Sequence, residues 1–576
     1  MYRWLMQIRL KQKIGWPDLV VVVLIAGTLY AVLDLGKGMV EPFSVQAAST
    51  ISLDPKYLPY YAGRSLLRMF IAYLLSLAFT LAYGRFAAYH KTAEKVMIPA
   101  LDILQSVPVL GFLSITVTGF LALFPHTMLG AEFASIFAIF TSQAWNMTFS
   151  FYHSLTVLPN DLKEAAKINR LRTWAQFSKL EVPFSMIGLV WNSMMSFGGA
   201  WFFLAASESI TVLHNHIQLP GIGSYMAEAI AQGNIPAQMY GILTMVIVIV
   251  AVDQLAWRPL VAWSQKFKLD QNDEKDAPTS WFLQLLRRSE WVQQAFGALA
   301  NAIVAMFPMR TKPLPQVAAA NDLKRRKQVW RWIWILIWAL VMLFALRYLW
   351  AAFNDIAKLG LMQILFAVKM GFYTFLRVSV ATVLGALWTV PIGVAIGLNA
   401  RLSRIAQPLV QVFSSFPFNL FFGLIAMIYT AFHINFNWGA IPLMMLGTQW
   451  YILFNVIAGA MAIPSSLKEA SLILRLTLVQ RWKTLILPAI FPYLVTGLIT
   501  ASGGAWNASI VAEIINWKQK TLTANGLGSY IATATTNGNW AEISLGIAVM
   551  SIFVILINRL LWRPMYRLAE NKFHLE

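Results

Sequence analysis

The sequence predicts an all-α membrane protein built as a tandem duplication of a six-helix transmembrane unit, about 12 spans in all. Three observations lead there. Of the 576 residues, 58% are hydrophobic and only 12% charged, with a mean hydropathy of +0.61, outside the balance of soluble domains. Apolar stretches of about 20 residues recur, the length a helix rising 1.5 Å per residue needs to cross roughly 30 Å of hydrocarbon. The second half of the chain also repeats the first. An offset of 305 (469 − 164) relates Glu164 to Glu469, Trp145 to Trp450, Pro183 to Pro488, Gly199 to Gly504, Glu208 to Glu513 and Trp257-Arg258-Pro259 to Trp562-Arg563-Pro564. Further upstream, Arg68 and Arg377, Pro99 and Pro408, and Pro108 and Pro417 share an offset of 309 (377 − 68).

The first unit, residues 1–263, is expected to place spans over 18–34, 65–88, 97–123, 132–157, 184–206 and 239–260. The second, residues 330–576, is expected to place them over 331–351, 371–398, 406–431, 438–461, 489–511 and 541–562. The first apolar stretch follows a long basic segment without a small-residue cleavage site, so it reads as a retained helix. An even number of spans per unit gives both copies one orientation, with the pseudo-symmetry axis along the membrane normal and a pathway between the halves.

The formal net charge of +20 would suggest nucleic acid in a soluble protein. Here the Lys and Arg fall on alternate connections instead, so no nucleic-acid partner is implied and the partner of the apolar surface is the bilayer. Arg3, Arg9, Lys11, Lys13, Arg85, Lys91, Lys95, Arg401, Arg404, Arg559, Arg563 and Arg567 mark one side, whereas residues 207–238 hold no Lys or Arg. Both termini are therefore expected in the cytoplasm. Lys518 and Lys520 on the outward side are a small exception. The linker, residues 264–329, carries a charged piece, an amphipathic stretch from Ser280 to Phe307 and a basic tail. The middle piece suits either the membrane interface or packing on the protein itself.

With no Cys there is neither disulfide nor thiolate chemistry, and the seven His lack a metal-ligand spacing. No phosphate loop, paired catalytic carboxylates or nucleophile and base stand out. The chain is expected to be a transport protein without metal or cofactor, not an enzyme.

Two cytoplasmic segments stand out, "DLKEAAKINRLRTWAQFSKLEVP" (161–183) and "SLKEASLILRLTLVQRWKTLILP" (466–488). Asp161 with Glu164, and Ser466 with Glu469, have the spacing of a capping box, which would start a helix at each. Pro183 and Pro488 suit the first turn of the following span, where no N–H is needed. Each segment thus reads as a short helix joining the fourth and fifth spans, its small Ala165, Ala166, Ala470 and Ser471 admitting another surface among Arg170, Arg172, Arg475 and Arg481.

The fifth spans carry Gly198-Gly199 and Gly503-Gly504, small residues that permit close helix approach, followed by Trp201 and Trp506. Glu208 and Glu513 lie near the outer interface, as pathway groups or as partners of Arg68 and Arg377. Ser106-Val107-Pro108 and Ser415-Phe416-Pro417 break the third spans, as pathway lining or as packing kinks. "GIGSY" (Gly221, Gly223, Tyr225) and "GLGSY" (Gly526, Gly528, Tyr530) face outward with no strand before them, which disfavours a nucleotide loop.

The Glu-Ala-Ala to Leu-Pro segments resemble the cytoplasmic loop signature of binding-protein-dependent ABC importer permeases, and each spans 19 residues from Glu to Pro (183 − 164). The "GGAWFFLAASESI" and "GGAWNASIVAEII" stretches look like the branch for nitrate, sulfonates, taurine and bicarbonate. The resemblance implies two permease domains fused in one chain. It implies two separate ATP-binding subunits docked on the cytoplasmic helices through Glu164, Ala165, Ala166, Arg170, Pro183, Glu469, Ala470, Ser471, Arg475 and Pro488. It also implies an external substrate-binding protein near the Gly-x-Gly-Ser-Tyr stretches, and a bacterial inner-membrane location. Arg170 and Arg475 stand at the family's Gly position, Ser471 at an Ala and Val182 at the Leu before Pro183, so a turn made by that Gly is expected to be missing. The other layout that fits six plus six spans is a major-facilitator-like secondary transporter.

Overall fold

The computed structural model describes residues 30–39, 51–106, 109–125, 127–171, 173–212, 215–267, 280–289, 350–517 and 520–572, with a few isolated positions besides. Most of the expected spans at 18–34 and 331–351, and most of the 264–329 linker, lie outside these residues. Among the described residues, seven helices are long and apolar enough to cross a membrane. An eighth span arises if Arg401–Ser415 and Phe418–Ala431, bent by 72°, count as one.

In the first unit, α1 (Leu58–Tyr89) is the second span and reaches further out than its apolar core. The third span is broken into α2 (Lys91–Ser106), a 3-10 turn (Val109–Phe112) and α3 (Leu113–Leu123). The chain returns through α4 (Leu129–Thr156) to the short α5 (Asn160–Ile168), then rises through α6 (Val182–Ser207). Glu132 and Gln143 are both buried within α4. Beyond α6 come a hairpin of β1 (Ser209–Val212) and β2 (Asn215–Gln218) and the helix α7 (Ile222–Ala231). The last span is α8 (Ile235–Val252).

The second unit repeats this order: α9 (Gly360–Leu398), α10 (Ala400–Ser415), α11 (Phe422–Ala431), α12 (Phe436–Met461), α13 (Ser465–Ile473), α14 (Leu487–Ala512), β3 (Ile514–Trp517), β4 (Lys520–Thr523), α15 (Leu527–Asn537) and α16 (Trp540–Ile557). The two hairpins were not anticipated from the apolar pattern, being only four residues per strand. Both are antiparallel, pairing Ser209 with Gln218 and Ile514 with Thr523. Four π-helical turns also fall at matched positions, Phe177–Glu181 with Trp482–Ile486 and Asp253–Trp257 with Asn558–Trp562. Such turns widen a helix locally and cluster where helices do work.

The halves interlock through their broken third spans. Val109, Leu113 and Val117 of the first unit belong to the apolar core of the second, beside Trp506 and Ile510. Phe416 and Leu420 of the second unit belong to the core of the first, beside Phe197 and Trp201. The Val109 amide donates to Asn507 Oδ1 at 2.8 Å, satisfying a backbone group that the break sets free.

Candidate functional site

The short helices α5 and α13 differ from expectation at both ends. Pro159 and Pro464, not Asp161 and Ser466, occupy the N-cap positions, and neither makes a side-chain cap bond. The helices begin early because each Pro has ψ near 140°, which turns the chain directly into the first helical residue. Asp161 then sits in the first turn, favoured by the helix dipole. Among the described residues the capping box lies further on, between Thr477 and Gln480.

At the other end the turn that a Gly normally makes is present. Arg170 and Arg475 adopt left-handed φ of 50° and 49°. The Leu171 amide donates to the Ala166 carbonyl (3.1 Å) and the Arg170 amide to Lys167 (2.9 Å), and Leu476 to Ser471 (3.2 Å) and Arg475 to Leu472 (3.0 Å) do the same. Both are Schellman caps. Left-handed backbone costs a non-Gly residue about 1–2 kcal/mol, and both of these helix ends bear it. Ala166 and Ser471 face inward, whereas Glu164, Ala165, Glu469, Arg170 and Arg475 face out. The matched Ile168 and Ile473 are each 80% exposed. Ala470 is half-buried, as are Pro183 and Pro488 in the first turns of the fifth spans.

At the opposite ends of the fifth spans from α5 and α13, Glu208 and Glu513 are each fully buried one residue beyond the span. Glu208 accepts from Arg68 Nη1 (2.7 Å), Ser65 Oγ (2.6 Å) and the Gly223 amide (2.7 Å). Glu513 repeats the set with Arg377 Nη1 (2.8 Å), Thr374 Oγ1 (2.8 Å) and the Gly528 amide (2.8 Å). Of the two sequence readings, the structure places these carboxylates in ion pairs that hold the amino termini of α7 and α15, where helix N–H groups favour an anion. This explains the Gly-x-Gly. A methyl group on Gly221 or Gly526 would lie within 2.3 Å of the carboxylate, and one on Gly223 or Gly528 within 2.5 Å of backbone oxygen. Tyr225 is buried, its hydroxyl donating to the Leu53 carbonyl at 3.1 Å, and Tyr530 is partly buried. Burial, with Glu542 nearby, pushes the Tyr530 hydroxyl up to about 12, so it stays neutral.

The first copy holds a second pair that sequence reasoning missed. Glu132 accepts from Arg64 Nη2 (2.5 Å) and from Arg68 Nε (2.5 Å) and Nη2 (2.7 Å), all three residues being buried. In the second copy Tyr373 and Asn437 stand at the positions of Arg64 and Glu132, so one cation and one anion vanish together. Asn437 Oδ1 and its carbonyl still accept from Arg377, each at 2.9 Å. An acidic residue inside a span was the available signal for Glu132.

Between the halves, Ser415, Gln411, Gly198, Trp201 and Asp253 line a narrow cleft. Trp201 and Trp506 are each 1% exposed. A methyl group on Gly199 would lie 2.7 Å from the Tyr451 hydroxyl, and one on Gly504 would lie 3.4 Å from the Tyr451 ring. One side chain of α12 thus stands between the matched glycines of both fifth spans, where the first copy has Asn146. Pro417 caps the 3-10 turn (Phe418–Phe421) that begins the outer half of the broken span. Pro108 and the Ser106 side chain lie outside the described residues.

Residues 75–255 and 389–568 each match the family model described as the binding-protein-dependent transport system inner membrane component, together well over half the chain. The chain is 27% identical over 185 residues to the nitrate import permease protein of Leptolyngbya laminosa, which is 32% of this chain and 62% of the relative. It is 29% identical over 181 residues to the bicarbonate transport system permease protein of Synechococcus elongatus (31% and 60%). It is 23% identical over 181 residues to the taurine transport system permease protein of Escherichia coli (31% and 62%). The chain therefore spans somewhat less than two thirds of the length of these relatives. With its two matched regions and their apolar helices, the chain belongs to the binding-protein-dependent transport system inner membrane component family and carries two permease domains.

Proposed function

We propose that the chain is the permease subunit of an ATP-driven importer, forming the route for a small oxyanion such as nitrate, bicarbonate or a sulfonate. Two ATP-binding subunits dock on α5 and α13, and hydrolysis belongs to them. A substrate-binding protein delivers from outside, at the exposed surface around the hairpins, since the Gly-x-Gly-Ser-Tyr residues themselves are largely buried. The relatives supply the substrate class.

The observation that carries the docking reading is the pair of cytoplasmic helices. Each ends in a left-handed Arg and presents an Ile that is 80% exposed, an apolar surface that water covers poorly. The second socket is the greasier, with Leu472, Leu474, Leu478 and Val479 all more than 60% exposed. The two sockets therefore suit either unlike subunits or one subunit bound in two ways.

The route is proposed to run between the halves past Gly199 and Gly504, with Tyr451 across it. Ion pairs at Glu208 and Glu513 then serve to tie the outward hairpins and helices to the spans. Membrane vesicles depleted of ATP but holding an ion gradient test the reading against a secondary transporter. Uptake of labelled nitrate or bicarbonate is expected to stop, and uptake that persists would favour the rival.

A further inference from the structure

The two copies are fastened differently at their cytoplasmic ends. In the first copy α1 is a continuous helix carrying Arg68 toward the outside and Arg85 toward the cytoplasm, and α6 is flanked by Glu181 and Glu208. Arg68 pairs with Glu208, as described. At the other end Arg85 Nε donates to Glu181 Oε2 at 2.6 Å and Nη2 to Oε1 at 3.2 Å, while the Tyr89 hydroxyl donates to Oε1 at 2.9 Å. Glu181 is fully buried, and the Arg85 guanidinium also lies over the rings of Tyr89 (5.5 Å) and Phe177 (5.3 Å). Arg85 Nη2 reaches the Thr173 carbonyl at 3.4 Å, in the segment that leaves α5. Helices α1 and α6 are thus stapled at both ends.

In the second copy the outer staple remains, Arg377 with Glu513 at 2.8 Å. The cytoplasmic one is gone. Val394, Leu398 and Ile486 stand where Arg85, Tyr89 and Glu181 stand in the first copy. They pack together with Ile463 and Trp482 in an apolar cluster. The difference is one of mechanics. A forked, charge-assisted pair holds one geometry, and pulling it open strands a buried carboxylate. Apolar contact is non-directional, so the same helices slide at little cost until area is lost.

We propose that Arg85, Tyr89 and Glu181 are positioning residues that make α5, α1 and α6 move as one body, whereas α13 slides on α9. The two sockets would then transmit closure of the ATP-binding subunits unequally, the first carrying displacement through to the outward hairpin. This rests on the docking reading above.

The chain has no cysteine, so introduced pairs can carry spin labels without background. One pair, Asp161→Cys with His90→Cys, spans the first contact. The matched pair, Ser466→Cys with Asn399→Cys, spans the second; all four positions are exposed and lie outside the proposed docking residues. Distances are compared in the complex with its ATP-binding subunits, nucleotide-free and trapped with ADP and vanadate. The first pair is expected to hold its distance and the second to shift by several ångströms. Arg85→Val/Tyr89→Leu/Glu181→Ile, which installs the second copy's own apolar contact, is expected to make the first pair shift too while the subunits still co-purify. Equal shifts in both pairs of the unmodified complex, or a first pair unmoved by the triple change, would overturn the proposal. Failure of any ATP-binding subunit to co-purify with the unmodified chain would instead remove the docking reading itself, and this inference with it.

Discussion

Arg68→Met is expected to be among the most damaging single substitutions in the chain. It leaves Glu132 with Arg64 alone and Glu208 with no cation at all, in a place where every atom of the group is buried. Breaking a buried pair from one side costs about 3–5 kcal/mol, against a typical total stability of roughly 5–15 kcal/mol. Monodisperse yield after detergent extraction should fall sharply and the melting temperature with it. The double change Arg68→Met/Glu208→Gln should recover part of the loss, because it removes the stranded charge along with its partner. Arg377→Met should do less harm, since Arg377 pairs with one carboxylate where Arg68 pairs with two. An Arg68→Met chain with unchanged melting would show that the ion pairs do not hold the outer face together.

Deleting Ala165 to Ile168 is expected to abolish transport and to cut association with ATP-binding subunits, while the chain still inserts and extracts normally. The deletion removes the exposed Ile168 and the helical turn that ends at Arg170. It leaves the buried pairs of the outer face untouched. Normal transport in the deleted chain would mean that α5 only braces the bundle.

Much of this architecture could be read from residue order. The repeat offsets anticipated which positions would be equivalent, and the structure places Glu208 with Glu513, Gly223 with Gly528 and Ile168 with Ile473 in matching surroundings. Period and length found the long helices because burial and bilayer both demand apolar stretches of that size. The hairpins escaped because four-residue strands carry almost no periodic signal. The helix starts were misplaced because the Asp-x-x-Glu and Ser-x-x-Glu spacings also occur within a first turn, and only the backbone at Pro159 and Pro464 decides between the two. The turns at Arg170 and Arg475 were expected to be lost because left-handed backbone favours Gly. Hydrogen bonds from Leu171 and Leu476 back into the helix offset that cost, which residue identity alone does not reveal. Glu132 and Glu181 were missed for another reason. Their partners lie 64 and 96 residues away in sequence, and in the second copy Asn437 and Ile486 replace them, so the repeat gave no warning.

The most direct test of the account is to purify the chain from its native membrane in mild detergent, identify what accompanies it and assay ATP hydrolysis. Two ATP-binding subunits per chain, with ATPase activity lost when α5 and α13 are deleted, is the expected result. A lone polypeptide without ATPase activity would contradict the docking role of both helices and shift the reading to a gradient-driven transporter.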